Sequence, residues 1–126
     1  MDTATTYTVP TTATVTQQQV DDLLCTAFEG GITYWCSDAE VIGEWPEGVR
    51  WAHETLTRGR NIRLTVPDDW NETTETFVLT LDNFLAGIAR AASHFRQDVV
   101  TFLEQQDACS ADVAVQFAVL DEIVYC

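Results

Sequence analysis

The sequence predicts a small α+β domain in which three or four helices pack on one face of a small, mostly antiparallel sheet, and three patterns lead there. Thr16-Gln17-Gln18-Gln19 has capping-box spacing and precedes an apolar stripe at helical intervals. Residues 61–66 (NIRLTV) alternate in polarity, and a second β-rich run, residues 74–79 (TETFVL), follows after Pro67-Asp68-Asp69; together they predict an antiparallel hairpin with a long, wet loop. A second helical stripe runs through Phe84, Leu85, Ile88, Ala91, Ala92 and Phe95. At 126 residues the chain is long enough for one core, so a single domain over residues 1–126 is expected.

The elements follow in chain order. Residues 1–15 are rich in Thr and Val, and polarity alternates loosely around Pro10 from Tyr7 to Val15. This predicts an N-terminal β segment, an edge strand, because proline cannot donate to a central ladder. The first helix then carries Val20, Leu23, Leu24, Ala27 and Phe28 on one face, and Gly30-Gly31 punctuates its end. Ile32-Thr33-Tyr34-Trp35-Cys36 has the composition of a strand, while the double glycine equally suits a new helical turn at a changed angle. Pro46 and Gly59 bracket a predicted helix over residues 47–56, with Trp51 inside it. Thr80 or Asp82 caps the second apolar helix, and Val99, Val100, Phe102 and Leu103 form an irregular or helical connection. A last helix starts at Asp107 or Ser110 and runs through Val113, Ala114, Phe117 and Ala118, before EIVYC closes the chain as a short strand.

Charge narrows the function classes. The net charge is −14, from 20 acidic residues against six arginines and no lysine. Such a surface repels phosphate backbones and anionic lipid, which excludes direct nucleic-acid binding through a basic patch. No apolar stretch approaches the roughly 18 residues a membrane span needs, and the N-terminus has no basic or apolar leader, so a cytoplasmic protein with no membrane contact is expected. Four cysteines are too sparse for a disulfide framework, and without a CxxC pair they form no zinc signature with His53 or His94.

Catalytic chemistry finds little support. There is no GxSxG elbow, no cysteine with a histidine in local context, no phosphate loop and no calcium loop. The adjacent acids Asp21-Asp22, Asp68-Asp69 and Asp121-Glu122 are what chance supplies when 20 acids are spread over the chain. No catalytic residue, metal or cofactor is therefore assigned. The aromatic inventory is more suggestive: Tyr34, Trp35, Trp45, Trp51 and Trp70 lie near Arg50, Arg58, Arg60 and Arg63 in sequence. Aromatic faces beside arginines make ligand walls, and the competing reading is that Trp35 and Trp51 plug the core.

LCTAFEGGITYWC (residues 24–36) and SADVAVQFAVLDEIVYC (residues 110–126) resemble the opening and closing motifs of a family of small phage and prophage proteins. Those relatives read LCTA-x-EGG-x-x-YW and DAD-x-x-x-QYALFGEIVYG. The resemblance brackets nearly the whole domain and implies a mobile element in a bacterial or archaeal cytoplasm, with no established activity. Asp121 stands where the family has the glycine before EIV, and Cys126 replaces the terminal glycine. The motif positions carried over are Glu29, Gly30, Gly31, Tyr34, Trp35, Asp112 and Gln116. Asp112 and Gln116 lie one helical turn apart, placed either to face one ligand or to act as a capping carboxylate and a buried amide bridge.

The leading expectation is a phage-type accessory protein that acts by stoichiometric binding, sequestering a nucleotide-derived immune signal as counter-defence. Its ligand-binding residues are Glu29, Tyr34, Trp35, Arg60, Arg63, Trp70, Asp112 and Gln116, with the rings as walls and Arg60 or Arg63 on phosphate. One alternative is an acidic, nucleic-acid-mimicking inhibitor of a host defence complex. Another is a metal-dependent hydrolase built on convergent acids and histidines. A homo-oligomer is expected, because small binders that enclose a ligand often assemble symmetrically.

Overall fold

The Thr16 hydroxyl accepts the Gln19 N–H at 3.1 Å while the Gln19 side-chain oxygen accepts the Thr16 N–H at 2.9 Å, so the capping box forms and opens α1 (Gln17–Thr26). The computed structural model describes residues 13–126. The expected N-terminal β segment falls largely outside the described residues, and residues 13–16 carry no strand. Past Thr26 the helix widens into a π turn, Ala27–Gly31. The Trp35 and Cys36 N–H groups both return to the Ile32 carbonyl, at 3.0 and 2.9 Å, so residues 32–36 form a turn and not a strand.

The first strand of the sheet comes later than expected, at β1 (Asp38–Ile42). The helix predicted over residues 47–56 is replaced by two short 3₁₀ turns, Ala52–Glu54 and Leu56–Arg58. Gly48, at φ +80, turns the chain into the left-handed region and breaks any α-helical run there. Trp51 sits in extended backbone and is 60% exposed, outside any helix.

The hairpin is present, and longer than its sequence signature. β2 (Asn61–Asp68) and β3 (Thr73–Leu79) pair antiparallel from Ile62↔Leu79 out to Asp68↔Thr73, leaving a four-residue loop, 69–72, instead of a long one. β1 pairs antiparallel on the other side of β2, with Val41 opposite Ile62, giving the order β1-β2-β3. Ile62, Leu64, Val66 and Leu79 face the core with Val41, while Asp38, Glu40, Thr74 and Thr76 are exposed.

Four helices share one core with the three-stranded antiparallel sheet, the α+β architecture read from the sequence. Thr80, not Asp82, caps α2 (Leu81–His94), exchanging side-chain bonds with Asn83. Asp98 caps the short α3 (Val99–Glu104), which settles that stretch as helical, and Asp107 caps α4 (Ala108–Leu120) through Ser110. α2 and α4 cross in close contact at Gly87, where a Cβ would collide with the Ala114 carbonyl oxygen. Leu23, Leu24, Leu56, Phe84, Ile88 and Phe102 fill the space between helices and sheet. The EIVYC segment forms no strand; residues 122–126 run back along α4 as an extended tail. Among the described residues, no helix is long and apolar enough to cross a membrane.

Candidate functional site

α4 carries Asp112 and Gln116 one turn apart, and both are buried, at 8% and 0% exposure. The turn that follows Gly30-Gly31 delivers Tyr34 and Trp35 onto that helix. Tyr34 donates its phenol O–H to Asp112 Oδ2 at 2.5 Å, and the Trp35 indole N–H donates to Asp112 Oδ1 at 2.7 Å. Gln116 Nε2 donates to the same Oδ1 at 2.9 Å and to the Tyr125 carbonyl at 3.0 Å. Its Oε1 accepts the backbone N–H groups of Val124 at 2.8 Å and Tyr125 at 2.9 Å. The Tyr125 ring in turn lies flat on Trp35, centroids 5.3 Å apart and planes 4° from parallel.

Three segments are thus tied at one buried point. Asp112 is a buried carboxylate facing no arginine, and the three donors around it supply the compensation that a cation otherwise gives. Desolvation, reinforced by the bond to Asp112, pushes the Tyr34 phenol well above its ordinary range, so it stays a neutral donor. Close approach of the turn to α4 depends on Gly31: a Cβ there would lie 2.9 Å from the Ala108 carbonyl oxygen.

Outside this network lies a concavity of about 430 Å³ lined by Gly30, Gly31, Tyr34, Ala108, Cys109, Asp112 and Cys126. The Tyr34 ring, 53% exposed, forms one wall with its hydroxyl anchored behind it. Ala108 and Cys109 belong to the first turn of α4, whose leading N–H groups have no acceptor within the helix. Two thiols, Cys109 and Cys126, stand at its edge, and desolvation first, then Asp107 and Asp112, pushes the Cys109 thiol up. A smaller concavity of about 180 Å³ lies between Phe28, Cys36 and Ala39.

Of the residues singled out in the sequence, Tyr34, Trp35, Asp112 and Gln116 come together here. The other four do not join them. Glu29 is exposed on the π turn beside the Cys25 thiol. Arg60 donates to the Glu44 carbonyl at 2.5 Å, and Arg63 pairs with Glu40 at 2.9 Å on the open face of the sheet. Trp70, 93% exposed, projects from the loop between β2 and β3. Trp35 is the core plug among the tryptophans, and Trp51 is not. Ala108, Cys109 and Cys126 were not legible as lining residues; the one available signal was that the Asp107 cap puts Ala108 and Cys109 at the mouth of the motif-bearing helix.

Among the described residues, no three His, Cys, Asp or Glu side chains gather to hold a metal ion. His53 stacks on Trp51 and His94 meets Phe95 edge-on. In comparisons with known proteins, no family model, no curated protein and no solved structure matches the chain.

Proposed function

We propose that the chain acts by stoichiometric binding of a small, planar, anionic ligand of the nucleotide class in the Tyr34 concavity, as a phage-type accessory protein that sequesters a nucleotide-derived immune signal. One observation carries this reading: two motif segments, joined by the Trp35–Asp112 bond across 77 positions of sequence, meet at one concavity and supply most of its lining. Its volume of about 430 Å³ falls in the range of small-molecule sites, roughly 300–1,000 Å³.

The chemistry of the lining fits that class. A heterocycle stacks on the open face of Tyr34, and an anionic group meets the first turn of α4, where the helix dipole favours negative charge. No arginine lines the concavity and the Asp112 carboxyl does, with Asp107 at the same helix start, so the leading amides of α4 receive the anion against nearby acids and binding no tighter than micromolar is expected. Burial and the neighbouring acids hold the proton on the Cys109 thiol, which favours holding over covalent chemistry there.

Isothermal titration of the full chain against cyclic dinucleotides, linear dinucleotides and cyclic ADP-ribose isomers tests the proposal. Binding by one member, lost in Tyr34→Ala and retained in Tyr34→Phe, supports it. Absence of binding across the panel at micromolar protein overturns it.

A further inference from the structure

The outer end of the β2–β3 hairpin is largely exposed among the described residues, although Val66 of β2 still reaches the core. Thr73, Thr74, Glu75 and Thr76 of β3 are all exposed, so neither face of the strand is buried there, and among the described residues β3 has a neighbour only in β2. At the tip stands Trp70, 93% exposed, the most exposed large apolar side chain among the described residues. The loop holds it outward: Asp68 accepts the Asn71 N–H at 3.2 Å on one oxygen and the Asn71 side-chain amide at 2.7 Å on the other. Glu72 completes the turn at φ +55. The Asp68–Asn71 bonds brace the backbone on either side of the ring, and tryptophan is among the residue types most often decisive in interfaces.

Charge identifies the occupant. Asp69 and Glu72 share the loop with Trp70, Glu75 follows on β3, all three are exposed, and residues 64–89 contain no arginine. The nearest preceding cation, Arg63, is taken by Glu40. A second copy of this surface would set like charges against each other, and nucleic acid or anionic lipid would meet the same repulsion. We infer that the β2–β3 hairpin is a docking surface for an arginine-rich segment of a partner protein. A guanidinium lies flat on the Trp70 ring, and neighbouring arginines bridge the flanking carboxylates in bidentate pairs, a geometry that lysine does not reproduce. This surface is separate from the Tyr34 concavity, whose lining contains neither Trp70 nor these acids.

The test uses the full chain with fluorotryptophan in place of tryptophan, followed by fluorine NMR, the Trp70 signal being assigned by its loss in Trp70→Phe. Oligo-arginine, oligo-lysine and oligo-glutamate peptides are the probes. Oligo-arginine is expected to move the Trp70 resonance and leave that of buried Trp35 in place, with binding that weakens as salt is raised. Trp70→Ala is expected to weaken binding at least about tenfold, the scale of one lost aromatic–cation contact together with its apolar area. Combined Asp69→Asn, Glu72→Gln and Glu75→Gln is expected to flatten the salt dependence. An unmoved Trp70 resonance, or equal affinity for oligo-lysine, overturns the inference. So does a Trp70 shift that follows protein concentration without peptide, which assigns the surface to self-association.

Discussion

Replacing Asp112 by alanine removes one acceptor group from three donors at once, and the donors differ in what they have left. Tyr34 is 53% exposed and its hydroxyl finds water; Gln116 keeps the Tyr125 carbonyl. The Trp35 indole N–H, in a residue 5% exposed, has no substitute acceptor. An orphaned buried donor costs about 1–3 kcal/mol, and the weakened Gln116 and Tyr34 contacts add about 1 kcal/mol, for a total of about 3 kcal/mol. With an unfolding entropy of about 2.1 cal/mol/K per residue, a chain of this length loses about 11 °C in melting temperature. Asp112→Asn keeps a carbonyl oxygen for Trp35 and Gln116 and gives up only the charge and the bond from Tyr34. It is expected to fall by about 4 °C, corresponding to about 1 kcal/mol. Calorimetric melting of the three proteins at neutral pH measures both steps. A melting temperature for Asp112→Ala within about 3 °C of the parent, or an asparagine variant as damaged as the alanine one, refutes the account of the network.

Three further outcomes follow from the packing and the titrating groups. Gly87→Ala puts a methyl group into the Ala114 carbonyl and within 3.0 Å of the Ala118 Cβ. Urea unfolding should show a loss of about 1–3 kcal/mol by overpacking, against the gain of about 1 kcal/mol that alanine brings to an unconstrained helix. Tyr34 is held protonated beyond the ordinary phenol range by burial and then by Asp112, so the folded chain keeps a proton that the unfolded chain releases near pH 10. The stability it contributes is therefore full below about pH 10 and declines as pH rises from there, and Tyr34→Phe should lose stability less steeply with rising pH in alkaline urea titrations. Iodoacetamide should modify the exposed Cys109 and Cys126 well before Cys36, which is buried and whose thiol desolvation pushes up. Peptide mass mapping reads that order, and the doubly alkylated protein should no longer give the nucleotide heats proposed for the Tyr34 concavity.

What the sequence made legible was encoded in short range. The caps at Thr16, Thr80 and Asp107 are bonds between a side chain and backbone three residues on, so four residues suffice to announce a helix start. The hairpin was equally local, its two strands being neighbours in the chain. β1 was not, because Asp38-Ala39-Glu40-Val41-Ile42 buries only Val41 fully and owes its extended form to pairing with residues 61–65, from 19 to 27 positions away. Residues 47–56 looked helical from their brackets, Pro46 and Gly59, while Gly48 within them decided otherwise. The spacing of Asp112 and Gln116 was readable as one helix face. The fates of Trp35 and Trp70 were not, since the same side chain serves as buried donor in one place and exposed ring in the other, according to tertiary neighbours alone.

The tail shows why composition misled at the C-terminus and why the site has its present form. Residues 122–126 have the composition of a strand, yet among the described residues no strand pairs with them; Gln116 stands in for one. Its amide oxygen takes the Val124 and Tyr125 N–H groups and its amide nitrogen serves the Tyr125 carbonyl, as a neighbouring strand's backbone does. The other proton of that nitrogen goes to Asp112, so the tail, α4 and the Tyr34–Trp35 turn are fixed by one connected set of bonds. An apolar plug of similar volume would pack there at lower desolvation cost, but it would fix neither the tail's register nor the direction of the Tyr34 ring. The network is therefore compatible with a binding wall and does not compete with it: its donors and acceptors point inward and are spent on one another, while the ring they anchor faces out. A ligand on Tyr34 would meet a surface already ordered, and loosening Asp112 would weaken that binding even where the concavity's other lining is untouched.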